Sequence, residues 1–146
     1  MVAFHNVENT IQEVKQYVWI LSDQVLVSTL PYLAEALERG AEFRLVLPQS
    51  IQPPKDIRER AQNPVFERAV RAKRMESRFL DKVDNLLCMS EKEVAALCFP
   101  NLEGRLDYRG FRAKDEQAHK WAEALFLCSW NRAAKNIPNQ ANRRLD

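Results

Sequence analysis

The sequence predicts an α/β fold with a mixed sheet, made of a parallel βαβ start, an antiparallel hairpin and a long C-terminal helix. Two β-prone runs, Tyr17–Leu21 and Phe43–Leu47, flank an amphipathic helical segment with short joints, which is typical of parallel strands joined by a right-handed crossover. Two further apolar runs are separated only by residues 90–93, the spacing of a hairpin. From Asp115 onwards, apolar residues recur at helical spacing, which predicts a helix that packs across the sheet.

The first third of the chain predicts alternating helices and strands. Apolar spacing over residues 7–16 favours an amphipathic helix before the first strand. Ser28 or Thr29 can cap a second helix, Pro31 fits its first turn, and Gly40 supplies a left-handed stop before the second strand.

The middle of the chain is richer in proline. Residues 48–54 contain three prolines and are predicted to form a loop, and a short helix is expected from Pro53 or Pro54 through Ala61. A helix restarts at Asn63, and the alternation over Lys73–Leu80 predicts a half-exposed strand.

The last third contains the hairpin and the long helix. Asp84–Met89 and Val94–Phe99 read as the two hairpin strands, where we expect the sheet to become antiparallel. Pro100–Lys114 contains two of the three glycines and is predicted to be irregular.

Composition indicates one globular domain. The chain has 146 residues, of which 46% are hydrophobic and 29% charged, and no apolar run approaches the ~18 residues of a membrane-spanning helix. Residues Met1–His5 lack the basic and apolar parts of a signal peptide. We expect a single domain over residues 4–136, a polar tail over 137–146, no membrane contact and a cytoplasmic location.

Charge and cysteine content exclude some classes of protein. A net charge of +2 is too small to indicate a nucleic-acid binder. Basic and acidic residues alternate over residues 55–78, either as a solvated surface or as a patch that meets an acidic ligand or a partner. Cys88, Cys98 and Cys128 lie far apart in apolar surroundings and are expected to be reduced and packed, without a disulfide or a metal.

Polar residues follow both strands of the βαβ unit. Ligands of open α/β sheets bind beyond the carboxyl ends of parallel strands, where Ser22, Asp23 and Gln24 follow the first strand and Gln49 follows the second. These four residues are candidate ligand-binding residues. The alternative is that Ser22 and Asp23 only cap the next turn.

A second set of candidates lies further along the chain. Tyr108 and Arg109 belong to a charged stretch that packing alone does not require, and this stretch is a candidate lid. Arg74, from the basic run, completes the candidate ligand-binding set.

Catalytic motifs are absent from the sequence. It contains no G-x-S-x-G elbow, P-loop, G-x-G-x-x-G fingerprint or H-E-x-x-H pair, and its two histidines are His5 and His119. We therefore expect no enzymatic activity and no cofactor. The alternative is an enzyme acting on a phosphorylated substrate, with Arg71–Arg78 as an anion clamp and His119 or a carboxylate as general base.

Four stretches of the sequence resemble one family. YVWILSDQVL, LPYLAEALERGAEFRLVLP, NLLCMSEKEVAALCFPNLEGRLDYRGF and KDEQAHKWAEALFLCSWNRA are similar to the effector-sensing middle domain of archaeal winged-helix transcription regulators of the methanogenesis-regulator type. The resemblance extends from about residue 4 to residue 136. Its most specific part is Leu106 through Trp130.

The resemblance implies a catalytically inactive phospholipase-D-like fold that binds a small-molecule effector and forms a homodimer. The phospholipase signature H-x-K-x4-D is missing, because neither His5 nor His119 is followed by lysine two residues on. In this family DNA is bound by a winged-helix domain, which this chain lacks, so the chain is expected to be either an excised domain or a stand-alone sensor. A pure protein-interaction module is the alternative function.

Overall fold

The computed structural model describes residues 4–51 and 63–135, which form a mixed α/β fold as predicted. The elements in chain order are α1 (Phe4–Glu13), β1 (Tyr17–Leu21), α2 (Leu30–Glu38), β2 (Glu42–Pro48), α3 (Pro64–Arg71), β3 (Met75–Leu80), β4 (Leu86–Ser90), β5 (Val94–Pro100), β6 (Leu106–Ala113) and α4 (Glu116–Arg132). The short helix expected through Ala61 and the polar tail lie outside the described residues. Within the described residues, no helix is long and apolar enough to cross a membrane.

The six strands form one sheet in the order β3-β2-β1-β4-β5-β6. Strand β1 is parallel to β2, with Val18 opposite Phe43, and β2 is parallel to β3, with Phe43 opposite Met75. On its other side β1 is antiparallel to β4, with Trp19 opposite Met89. The parallel start and the antiparallel hairpin are therefore confirmed, and the two halves of the sheet meet at β1.

One face of the sheet is covered by α1, α2 and α3 with an apolar core. Its fully buried members include Val7, Ile11, Val18, Leu37, Ala69, Leu86 and Cys88. Helix α1 ends at Glu13, before the predicted end at residue 16. The reason is that the backbone N–H groups of Lys15, Gln16 and Tyr17 donate to the Glu91 carboxylate at 3.0–3.2 Å, which is incompatible with a further helical turn.

The residues at the ends of α2 and α3 can be compared with the start and stop residues expected from the sequence. Pro31 lies in the first turn of α2 and Gly40 follows its end with φ of +97°, as predicted. Helix α3 restarts at Asn63 as expected, and the Asn63 side chain caps it by accepting from the Val65 N–H. The Thr29 hydroxyl does not cap α2. It donates to the Leu26 carbonyl and closes a short 3-10 turn that leads into the helix.

Of the described elements, α4 covers the other face of the sheet. The helix begins where the sequence predicts it, and the Asp115 carboxylate caps it by accepting from the Ala118 N–H at 3.0 Å. Phe126 and Trp130 pack against Leu21 and the other apolar residues of this face. The prediction of a long helix across the sheet is confirmed.

The prediction of an irregular stretch over Pro100–Lys114 is wrong, because it contains the strand β6. The first glycine, Gly104, has φ of +81° in the turn between β5 and β6, and the Asn101 side chain accepts from two backbone N–H groups of that turn. The second, Gly110, lies inside the strand at a point of close contact with β5. The two glycines belong to a hairpin, so the charged stretch that was a candidate lid is part of the sheet.

The two edges of the sheet are different. At the β3 edge, the Phe79 N–H donates to the Ala134 carbonyl at 2.7 Å and the Ala134 N–H donates back at 2.9 Å, so the segment after α4 covers this edge. Strand β6 forms the other edge, and no described strand pairs with its outer side.

The cysteine prediction is correct for two residues and wrong for the third. Cys88 and Cys98 are buried free thiols, but Cys128 is exposed on α4. It lies two residues, roughly 200° around the helix, from the buried Phe126, and so faces away from the sheet.

Candidate functional site

The turn after β1 is fixed by Ser22. Its side chain is buried, its backbone N–H donates to the Val46 carbonyl at 3.1 Å, and its hydroxyl accepts from the Gln24 N–H at 3.1 Å. The hydroxyl therefore holds the turn, which is the capping role that the sequence left open as the alternative.

Asp23 and Gln24 lie together with Tyr108. The Tyr108 hydroxyl donates to Asp23 Oδ2 at 2.6 Å, and the side-chain amide of Gln24 donates to the Tyr108 oxygen at 3.3 Å. Hydrogen bonds thus connect the carboxyl end of β1 with β6, although the two strands are separated by β4 and β5 in the sheet. We call Asp23, Gln24 and Tyr108 the Asp23 cluster.

Tyr108 is held in its donor form. Burial of the phenol, its hydrogen bond to Asp23 and the negative charge of that carboxylate raise the pKa of Tyr108 to about 12. Ionisation would place a phenolate against a carboxylate, so near neutral pH the hydroxyl donates to Asp23 and accepts from Gln24.

The second oxygen of the Asp23 carboxylate is the unusual feature of the cluster. Asp23 Oδ1 is buried and has no hydrogen-bond partner among the described residues. Leaving a buried acceptor without a donor costs about 1–3 kcal/mol, and more for a charged group. A bound molecule with an O–H or N–H group would satisfy this oxygen.

Cys98 and Gly110 form the packed surroundings of the cluster. A Cβ atom at Gly110 would lie 2.6 Å from Cys98 Sγ and 2.6 Å from the Leu97 carbonyl oxygen, so only glycine permits this approach of β6 to β5. Burial, followed by the charges of Asp107 and Asp23, raises the pKa of the Cys98 thiol. The thiol is therefore neutral near pH 7 and packs as an apolar group.

Gln49 and Arg109 have no side-chain contact with the Asp23 cluster in the described hydrogen bonds. Gln49 follows β2 at the predicted edge, where its backbone N–H donates to the Leu80 carbonyl at 2.7 Å. Arg109 is exposed on β6, and its backbone N–H donates to Asp107 Oδ1 at 2.9 Å. Ligand contact by either side chain stays a prediction.

Arg74 and Asp23 lie at opposite ends of the parallel strands. It immediately precedes β3, whose amino end aligns with the amino end of β2 because the two strands are parallel. Its guanidinium donates to the Leu37 carbonyl at 2.7 Å and so closes the end of α2. The grouping of Arg74 with Asp23 in one site is therefore wrong, since the two lie at opposite ends of the parallel strands.

A cavity of about 350 Å³ beside the carboxyl ends of the parallel strands was not predicted from the sequence. It lies between the loop after β3 and helix α4, and its lining includes Leu21, Asp81, Lys82, Asp84, Asn85 and Arg132. Recognising β3 as a third parallel strand would have located it, because the carboxyl ends of parallel strands share one edge.

His119, the alternative general base, is half-buried on α4 and faces the sheet. Its Nε2 lies 2.7 Å from the Ser90 carbonyl oxygen and its Nδ1 lies 2.8 Å from Glu123 Oε1. Both nitrogens face acceptors within the fold, an arrangement that suits a packing residue better than a general base. Among the described residues, no group of three or more His, Cys, Asp and Glu side chains could hold a metal ion.

Comparison with known proteins places the fold near an archaeal chromatin protein. No protein-family model and no curated protein matches the sequence. Among solved structures, TrmBL2, described as an archaeal chromatin protein with a novel mode of DNA binding, matches with a TM-score of 0.66 and 19% sequence identity. The alignment covers 91% of this chain and 50% of TrmBL2, so the chain spans half the length of that protein. At this identity the similarity is one of fold.

Proposed function

We propose that this chain is a ligand-sensing and dimerisation domain of an archaeal transcription regulator, and that it is not catalytic. The observation that carries the sensing role is the buried Asp23 Oδ1, which no described residue supplies with a donor. A carboxylate with one oxygen fixed by Tyr108 and the other unsatisfied suits a small effector that presents a hydroxyl or ammonium group.

The regulatory role is supported by the similarity of the fold to TrmBL2, which is described as binding DNA. We propose that the fold is of the phospholipase-D type, used for sensing in place of hydrolysis. In this proposal a winged-helix domain outside this chain binds DNA, and effector binding here changes the arrangement of two copies.

Native mass spectrometry tests both parts in one experiment. We expect the wild-type protein, incubated with a small-molecule extract of the source cells, to appear as a dimer with a reproducible added mass. Asp23→Asn should lose most of the added mass, because an amide turned either way no longer offers two acceptor oxygens. Asp81→Asn is the matched control, since Asp81 is exposed and lines the neighbouring cavity.

The control also decides between two locations. Loss of the added mass in Asp81→Asn, with Asp23→Asn unaffected, would move the effector site to the cavity beside α4. An added mass that is unchanged in both variants would contradict effector binding at this edge of the sheet.

A protein-interaction module is the second candidate function, because aromatic side chains are exposed on β5, β6 and α4. Phe99 and Phe111 contact each other edge to face and are 39% and 65% exposed, and Trp121 on α4 is 51% exposed. Exposed aromatic residues of this kind are typical of protein contacts. A species that captures nothing from the extract in the native mass spectrum would favour this function.

A further inference from the structure

A small cavity lies on the α4 face of the sheet, near the amino ends of β2 and β3. Its volume is about 110 Å³. Four basic and two acidic residues contribute to its lining, together with two aromatic residues: Arg44, Lys73, Arg74, Arg78, Glu42, Glu76, Phe43 and Trp130. The cavity is thus predominantly cationic and large enough for one small polyatomic anion.

Arg44 is held in this cavity by aromatic rings. It lies opposite Trp19 in the β1–β2 register, and its guanidinium carbon is 5.3 Å from the Trp19 ring centroid and 5.2 Å from that of Trp130. Attraction to two ring faces fixes the guanidinium without using its N–H donors. Among the described residues Arg44 forms no ion pair.

Two other cations of the cavity are already engaged. Arg78 Nε donates to Glu76 at 2.5 Å and its Nη1 donates to the Trp130 carbonyl at 3.0 Å. Arg74 donates to the Leu37 carbonyl. The Glu76 charge is therefore balanced by Arg78, and Glu42 is exposed at the first residue of β2. Among the described residues Arg44, Lys73 and Arg74 have no carboxylate partner, and of these three Arg74 already donates to a backbone carbonyl, which leaves the charges of Arg44 and Lys73 unengaged.

Lys73 has a backbone conformation that lysine rarely adopts. Its φ is +61°, and it is the non-glycine residue of the described chain with positive φ. Glycine or asparagine would fit this position with less strain. The left-handed residue closes the end of α3, where the Lys73 N–H donates to the Val70 carbonyl at 3.1 Å and the Arg74 N–H donates to the Ala69 carbonyl at 2.8 Å. With lysine at this position, a cation lies at the wall of the cationic cavity.

We propose that this cavity binds a phosphoryl group, with Arg44 and Lys73 supplying the charge that faces it. The group is either inorganic phosphate or part of a small phosphorylated molecule. A planar guanidinium with free donors matches the oxygens of a phosphoryl group, and lysine adds a point charge. This proposed phosphoryl site lies near the amino ends of the parallel strands. It does not depend on the function proposed for the Asp23 cluster.

Titration with inorganic phosphate at constant ionic strength tests the proposal. Binding is followed by calorimetry and by tryptophan fluorescence in a Trp121→Phe background, where the remaining Trp19 and Trp130 both contact Arg44. We expect saturable binding that Arg44→Gln weakens about tenfold or more. Arg68→Gln is the matched control, because it removes the same charge from an exposed position on α3.

Two further comparisons identify the source of the anion and the part played by the guanidinium. Tighter binding of a phosphomonoester than of phosphate would assign the group to a small phosphorylated molecule, and equal binding would assign it to the free ion. Arg44→Lys, which keeps the charge but loses the planar fork, should fall between wild type and Arg44→Gln. Absence of saturable binding, equal weakening in Arg68→Gln, or binding that requires duplex DNA would each overturn the proposal.

Discussion

In two regions of the molecule a charged side chain has hydrogen-bonding atoms that no described residue engages, and the two side chains carry opposite charges. Asp23 lies beyond the carboxyl end of β1 with a buried acceptor oxygen, and Arg44 lies near the amino end of β2 with unused donors. Asp23 is fixed by a hydrogen bond from Tyr108, whereas Arg44 is fixed by the faces of two indole rings. Hydrogen bonds impose a direction on what can bind, but ring faces leave the guanidinium donors free. If the two proposals hold, the first region would select a hydrogen-bond donor by geometry and the second would select an anion by charge.

The two regions also depend on different parts of the fold. The Asp23 cluster requires β6, whose approach to β5 depends on Gly110. The cationic cavity around Arg44, which we call the Arg44 cavity, requires α4. Trp130 of this helix stacks on Phe126 at 5.8 Å, and the guanidinium groups of Arg44 and Arg78 both lie over its ring. Substitutions should therefore separate the two regions.

The largest expected effect is that of Trp130→Ala. Trp130 is 6% exposed, and truncation of a buried aromatic residue typically costs about 3–5 kcal/mol of unfolding free energy. The variant should also lose phosphate binding, because its ring holds two arginines, and should keep effector binding at Asp23. Denaturant unfolding measures the first effect, and phosphate titration of the folded variant measures the second.

Trp121→Ala is the control for the loss of an indole ring. Trp121 is 51% exposed on the same helix, and we expect its truncation to change stability by no more than about 0.5 kcal/mol. Similar costs for the two variants would contradict the role given to Trp130. A loss of effector binding in Trp130→Ala would show that the two regions are coupled.

Local sequence signals were sufficient for much of the fold. The spacing of apolar residues, together with Pro31 and Gly40 as start and stop signals, located α2 in the sequence. The same spacing from Asp115 onwards located the start of α4. The polar group at Asp23 was found from a topological rule, because the carboxyl ends of parallel strands are where such sheets bind ligands. These features depend on residues close to one another in the chain or on a general property of the fold.

The partners of these groups could not be predicted in the same way. Tyr108 lies 85 residues after Asp23, and Trp130 is similarly distant in sequence from Arg44, so only the assembled sheet brings them together. Strand β6 was missed because Gly110, which reads as a breaker, is required by the close approach to Cys98. Arg74 was misplaced because its partner is a backbone carbonyl, which leaves no signal in the side-chain pattern.

Tyr108→Phe should have an intermediate effect that depends on pH. Losing the hydrogen bond to Asp23 should cost about 1 kcal/mol near neutral pH, less than for a fully buried charged bond because Tyr108 is 37% exposed. The folded pKa of Tyr108 is about 12, above its ordinary value of 10.0. Between these values the folded state holds a proton that the unfolded state has lost, so stability falls as pH rises.

The variant should therefore lose less stability than the wild type between pH 10 and pH 12, the window set by the two pKa values of Tyr108. Denaturant unfolding at a series of pH values measures this difference, and absorbance of tyrosinate follows the ionisation directly. Parallel stability curves for the wild type and Tyr108→Phe across this window would show that the Asp23 contact does not hold the phenol proton.

The smallest expected effect has the opposite sign. Lys73→Gly should stabilise the fold by about 0.5–1 kcal/mol, since relief of the left-handed strain exceeds the greater chain entropy of glycine. The same change should weaken phosphate binding, because it removes a cation from the Arg44 cavity. Lys73→Gln removes the charge but keeps the strain, so it should weaken binding without the gain in stability.

A Lys73→Gly protein that is more stable and binds phosphate like the wild type would mean that the left-handed lysine serves only the turn between α3 and β3. If both variants lose binding and only glycine gains stability, the strain at Lys73 is retained for its charge, which is the property that distinguishes this region from the Asp23 cluster.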